Sequence, residues 1–137
     1  AFDMAKLAEY ALGVDGFSEI VLTKQKSVAG RSLVNHNKLL RIYDGANGFK
    51  TGYTKSAGRC LVSGAFRDNM QLIAVTLAAP DDWNDHKKML DYGFSYVANL
   101  PTPVSTITDS VIYSTDIRTF INDYELEVVR SKFKIIS

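Results

Sequence analysis

Two stretches of this sequence combine residue types with spacings that can do chemistry. In DGANGFKTGYT, Asp44 to Thr54, a glycine-rich loop opens onto a strand-like run that begins Lys50-Thr51-Gly52. At the edge of a sheet such a run presents unpaired main-chain groups, to which an extended peptide can add as a further strand. The second stretch is SKFKIIS, where Ser131 and Lys134 stand three apart, a nucleophile with a base at helical spacing. On a helix that interval brings the amine to the hydroxyl. Here apolar residues alternate with basic ones, which predicts a strand, and a strand sends the two side chains to opposite faces. The pair is therefore not read as catalytic.

Other residues of reactive type have plainer readings. His36, in the Asn-His-Asn loop, has no partner at metal-ligand spacing. His86 is expected on a helix surface beside Lys87 and Lys88, a solvated face rather than a nucleic-acid patch. Asp81, Asp82 and Asp85 lack the ordered oxygen ligands of a hard-cation loop and suit the amino end of a helix. Trp83 is read as packing at that helix start. Cys60, the one cysteine, falls in an apolar alternating run and is read as a small buried residue.

The elements that must position these residues follow from periodicity. Met4, Leu7, Ala8, Ala11 and Leu12 form a helical stripe, with Asp3 at its amino end and Gly13 at its carboxyl end. A short helical turn is expected over 17–22, a loop or short hairpin over 23–34, and a long irregular connection over 35–48. Three strands are predicted at 49–54, 59–66 and 71–79, the last two joined as a hairpin through Arg67-Asp68-Asn69-Met70. The run from Leu72 to Leu77 is apolar on both faces, so helices should cover it above and below. A helix is predicted over 83–97, followed by the stiff exit Leu100-Pro101-Thr102-Pro103. Beyond it, strand-like alternation at Val111, Tyr113, Phe133 and Ile135 flanks a possible helix at 116–124.

Bulk properties set the class. The 137 residues are 46% hydrophobic and 23% charged with a formal charge of +1, an ordinary globular composition with no global field favouring nucleic acid or an anionic membrane. No stretch reaches the length of a membrane span, and the amino terminus lacks signal-peptide order. A start at Ala1-Phe2-Asp3 suggests a processed or excised chain.

Taken together, NHNKLL at 35–40, DGANGFKTGYT, AGRCLV at 57–62, RDNMQLIAVTLAAP at 67–80 and DHKKMLDYGF at 85–94 resemble, in order and approximate spacing, the D-alanyl-D-alanine carboxypeptidases of the low-molecular-mass penicillin-binding class. DMAKLAEYAL at 3–12 is similar to the helix that follows their second catalytic motif. The likeness covers roughly residues 1–100. It implies an α/β fold of the penicillin-binding and β-lactamase type, an antiparallel sheet flanked by helices, incomplete in this chain. Residues 1–100 would be the carboxyl-terminal half of the catalytic domain and 101–137 a linker and short extension.

The resemblance further implies a catalytic ammonium at Lys50 and a hydrogen bond from Thr51 to the terminal carboxylate of substrate. It implies a bare strand edge at Gly52 and an oxyanion-hole N–H at Tyr53. His36 stands where some relatives carry an arginine near the substrate, and Arg59 is a secondary candidate for facing the carboxylate. Peptidoglycan pentapeptide and β-lactams would be the ligands, with no metal or organic cofactor, in the bacterial cell envelope outside the cytoplasm.

One departure qualifies all of this. The family's SxxK belongs on an upstream helix and its SxN motif ahead of residues 3–12. The chain contains no SxN, and its SxxK lies at the wrong end. The chain alone is accordingly expected to be inactive. A complementary amino-terminal half or a homodimer is expected to cover the apolar face of Leu72 to Leu77. The competing readings are a class A β-lactamase fragment and a non-enzymatic module that binds cell-wall peptide.

Overall fold

The computed structural model describes residues 1–99 and two further strand segments, Val111–Ile112 and Val128–Ser131. The expected Pro-rich exit, the helix at 116–124, and Tyr113, Phe133, Lys134 and Ile135 lie outside the described residues.

The first helix, α1 (Phe2–Leu12), buries Ala5, Ala8 and Leu12. Its apolar stripe is turned from the expected one: Met4 and Leu7 are exposed, and two alanines face inward. Small residues at this face let the helix approach the sheet closely. After the short α2 (Phe17–Leu22), a two-stranded ribbon forms from β1 (Gln25–Val28) and β2 (Arg31–Val34). Ala29 and Gly30 both have positive φ, the geometry of the tight turn that matches strand twist. The region expected to be irregular instead holds a single helical turn, α3 (Leu39–Ile42), whose Leu39 and Leu40 are buried.

The main sheet follows with β3 (Ala46–Thr54), β4 (Gly58–Arg67) and β5 (Met70–Thr76). Asp68 and Asn69 take positive φ in the two-residue turn between β4 and β5, as expected of residues that tolerate the left-handed region. Two closing strands, β6 (Val111–Ile112) and β7 (Val128–Ser131), come from the carboxyl-terminal region and give the order β3-β4-β5-β7-β6, antiparallel throughout. Among the described strands β3 is thus an edge.

Strand β5 alternates between two cores. Leu72 and Ala74 pack with Leu61, Met89, Leu90 and Val97 on the side of the long helix α4 (Asp82–Ala98), whereas Ile73 and Val75 pack with Ala5, Ala8, Phe49 and Val62 on the side of α1. The expected coverage of this run on both faces is present. It also corrects the expectation of an open apolar face, because Leu72 to Val75 are at most 1% exposed within this chain; Leu77 alone, beyond the end of β5, is open to solvent.

A cationic staple fixes the far end of the sheet. The Arg67 guanidinium lies 4.4 Å from the Tyr43 ring centroid and 4.8 Å from that of Phe94. It also donates to the Asp44 carbonyl through Nε and Nη2 at 3.0 and 2.7 Å. Tyr43 donates to Asp91 at 2.7 Å, and burial, reinforced by that carboxylate, pushes its pKa well above the usual phenol range.

Candidate active site

The exposed edge of β3 borders a groove of about 880 Å³. Three elements build its walls, and each is held by contacts that the sequence supplies locally.

The first wall is the Asn-His-Asn loop. Asn35 turns inward, donating through Nδ2 to the carbonyls of Val21 and Thr23 at 3.2 and 3.1 Å and accepting from the Asn37 N–H at 2.9 Å. Asn37 is 1% exposed and accepts from the Leu39 N–H at 3.1 Å. Arg41 ties the loop down by donating to the carbonyls of Asn35 and Lys24 at 3.1 and 2.8 Å. With both asparagines occupied inward, His36 and Lys38 are the exposed side chains that reach the groove.

The second wall is β3 itself. Its register sets Lys50 opposite Val62, Thr51 opposite Leu61, Gly52 opposite Cys60 and Tyr53 opposite Arg59. Opposed residues share a face, so Thr51, Tyr53 and Arg59 lie on the α4 side and Lys50 and Gly52 on the α1 side. The Lys50 ammonium donates to the Thr51 carbonyl on the same strand. Gly52 has no internal reason to be glycine. A Cβ there would meet nothing nearer than Cys60 at 3.8 Å, and its φ is outside the left-handed region. Cys60 itself is partly exposed rather than buried, its thiol 3.7 Å from the Ala57 carbonyl.

The third wall is the start of α4. Asp82 is 5% exposed; its Oδ1 accepts the Trp83 N–H at 3.0 Å and lies 3.8 Å from Arg59 Nε. Asp81 stands at the helix start without capping it through its side chain; its carboxylate accepts from Asn84 Nδ2 at 3.0 and 2.9 Å instead. Desolvation, reinforced by Asp81, pushes the Asp85 carboxyl up from the ordinary range. Trp83 packs partly into the core below, as its packing reading requires, and also lines the groove.

One turn further along α4, His86 contradicts its surface reading. It is fully buried, with Nδ1 2.5 Å from Ser63 Oγ on β4 and Nε2 2.9 Å from Thr76 Oγ1 on β5. Burial lowers its pKa to about 3, so the ring is neutral at physiological pH. The signal was available in its spacing. Asp82, His86, Met89, Leu90, Gly93 and Val97 fall on one helical face, and all are buried; the adjacent Lys87 and Lys88 concealed this.

Of the residues singled out from sequence, His36, Lys50, Thr51, Gly52 and Tyr53 all border the one groove, together with Arg59. Lys38, which carried no reading of its own, also borders it, as does Asp82, which was read only as helix-end charge. Ser131 does not join them: it lies on β7, separated from β3 by β4 and β5. The groove carries three cations, Lys38, Lys50 and Arg59, against one carboxylate, Asp82. It is therefore suited to an anionic, extended ligand.

Comparison with known proteins agrees with this arrangement. The family model described as D-alanyl-D-alanine carboxypeptidase matches residues 1–81. The D-alanyl-D-alanine carboxypeptidase DacF of Bacillus subtilis is 36% identical over 109 residues, covering 74% of this chain and 28% of that protein. DacC of Escherichia coli is 36% identical over 110 residues, covering 76% of this chain and 27% of its own length. The chain thus spans little more than a quarter of these relatives. Among solved structures, a mutant of the Streptomyces K15 DD-transpeptidase superposes with a TM-score of 0.65 at 33% identity, over 68% of this chain and 41% of that one. Penicillin-binding protein D2 of Listeria monocytogenes, in a cefotaxime-bound form, gives 0.54 at 29% identity over 57% and 33%. The helix-flanked antiparallel sheet is accordingly that of the penicillin-binding DD-peptidases, and the chain belongs to the D-alanyl-D-alanine carboxypeptidase family.

Proposed function

We propose that the groove along β3 is the substrate-facing wall of a serine D-Ala-D-Ala carboxypeptidase that trims peptidoglycan pentapeptide in the bacterial cell envelope, outside the cytoplasm. The observation that carries this reading is the convergence of His36, Lys50, Thr51, Gly52 and Tyr53 on one groove beside an open sheet edge. A peptide ending in D-Ala-D-Ala adds to that edge as a strand. Thr51 donates its hydroxyl to the terminal carboxylate. The Tyr53 N–H points to the scissile carbonyl oxygen and stabilises it as it becomes an oxyanion. Lys50 lends positive charge beside the attacking serine, and the bare edge at Gly52 leaves room for the peptide backbone. His36 contacts the substrate from the loop. β-Lactams take the same place, consistent with the cefotaxime-bound Listeria relative.

In this reading residues 1–100 are the carboxyl-terminal half of the catalytic domain, and 101–137 form an extension whose segment Val128–Ser131 pairs with β5. The nucleophile and its base belong to sequence outside these 137 residues, on a complementary amino-terminal half, and the chain alone does not acylate. Fluorescent penicillin tests both points. The 137-residue chain should label only at background, whereas the chain extended upstream through SxxK and SxN motifs should label strongly. In that longer protein Thr51→Val should slow acylation by about 10- to 100-fold, the value of a hydrogen bond to a charged group. A stable covalent adduct on the 137-residue chain, or full acylation by the valine variant, would overturn the assignment.

A further inference from the structure

The strand that carries the site enters the sheet through an irregularity. Ala46 of β3 stands opposite Ala65 of β4 and Gly48 opposite Gly64, so Asn47 is one residue more than β4 has to pair with it. Such a bulge leaves its extra residue outside the ladder. Ladder hydrogen bonds alone do not fix which residue is the extra one, and a slip by one turns every later side chain to the opposite face. Here that would exchange Lys50 and Gly52 with Thr51 and Tyr53. Apolar burial opposes the slip only weakly, because Gly48 and Phe49 are the only buried residues of β3.

What holds Asn47 in place comes from two strands away. Its Nδ2 donates to Gln71 Oε1 on β5 at 2.6 Å, while Gln71 Nε2 donates to Asn47 Oδ1 at 3.4 Å and to the Leu72 carbonyl at 2.8 Å. The two amides meet across β4, which lies between their strands. They can do so because position 64 is glycine: a Cβ there would stand 2.6 Å from Asn47 Oδ1 and 2.8 Å from Gln71 Nε2. Gln71 is fully buried, and these bonds occupy both of its donors and its oxygen. A slipped β3 would carry Asn47 away and strand that amide without its partners, which a buried polar group strongly disfavours. We propose that Asn47 and Gln71 are positioning residues, whose amide pair over Gly64 sets the register in which β3 presents Lys50, Thr51, Gly52 and the Tyr53 N–H to the groove. This rests on the reading of β3 as the substrate-facing strand; neither residue borders the groove itself.

Two measurements separate the register from the activity. In the 137-residue chain, NMR contacts between opposed strand protons should place Lys50 opposite Val62 and Gly52 opposite Cys60, and in Gln71→Leu and Asn47→Ala these contacts should shift by one residue or vanish. Gln71→Leu fills the same space and leaves no buried amide, so it reports even if Asn47→Ala fails to fold. In the upstream-extended protein, Gln71→Leu should lower the saturating rate of penicillin acylation by roughly 10- to 100-fold, the range for a misplaced catalytic constellation. The double variant should be no slower than the slower single, since both changes remove one interaction. Arg67→Lys, which weakens the far end of the sheet, is the stability control and should acylate at the parental rate. Parental register in Gln71→Leu overturns the inference and leaves the groove reading intact, and equal slowing by Arg67→Lys overturns it too. A shifted register with parental acylation, or a parent that does not acylate, defeats the reading of β3 as the site strand and the positioning role with it.

Discussion

Acid should weaken this fold through one buried ring. His86 is enclosed between Ser63 and Thr76 with its pKa lowered from 6.5 to about 3 by burial. In the unfolded chain the imidazole titrates near 6.5, so between about pH 6.5 and pH 3 the unfolded state binds a proton that the native state refuses. Stability therefore rises with pH across that window; the contribution of His86 is fully present above pH 6.5 and is lost as pH falls toward 3. From pH 7.5 to 4.5 the two pKa values give a loss of about 2.5 kcal/mol. Against a typical urea dependence this lowers the unfolding midpoint by about 1 to 2 M. Other groups titrate in the same range, so the measurement is a difference. His86→Gln keeps a neutral side chain able to donate and accept, but removes the titration. Urea unfolding of both proteins at the two pH values should show the parent losing about 2.5 kcal/mol more than the variant. The carbon-bound ring protons of His86 supply a second readout, with the imidazole staying neutral by NMR until the fold is lost. Equal losses in parent and variant, or a ring that protonates near pH 6 in the folded state, would refute the reasoning.

Two glycines in adjacent strands should respond oppositely to alanine. Gly52→Ala should leave thermal stability unchanged or raise it by up to about 1 kcal/mol, since its Cβ meets only ordinary contacts, yet it should cut penicillin acylation in the upstream-extended protein at least tenfold. Gly64→Ala places a Cβ 2.6 Å from Asn47 Oδ1 and 2.8 Å from Gln71 Nε2 and should cost about 1–3 kcal/mol in denaturant unfolding. Arg67→Lys keeps the charge but loses the planar stack on Tyr43 and Phe94 and the paired donation to Asp44; a loss of about 1–2 kcal/mol in unfolding free energy is expected.

What the sequence made legible divides along a physical line. Periodicity located the strands around Lys50 and Leu72 and the helix carrying Met89 and Leu90, because burial on one face or two leaves its mark in the spacing of apolar residues. It failed where a polar residue was buried by pairing rather than by apolarity. His86 reads as surface from its neighbours, and only its interval from Asp82 and Leu90 places it inward. Its partners Ser63 and Thr76 lie on two different strands, 23 and 10 residues away in sequence, a convergence that no local pattern encodes. The site divides in the same way. Lys50 to Tyr53 were legible because a single strand carries them in sequence. Arg59 was legible only as a secondary candidate, and its association with Lys38, Trp83 and Asp82 was not, because that arc is assembled from a loop, a helix start and a neighbouring strand. The buried His86 bridge explains how that assembly holds. It fastens α4 to β4 and β5 one helical turn after Asp82, and so fixes the helix end from which Asp82 reaches Arg59 and Trp83 reaches Lys38. The residue that sequence reading left on the surface is thus the anchor for the part of the groove it did not foresee.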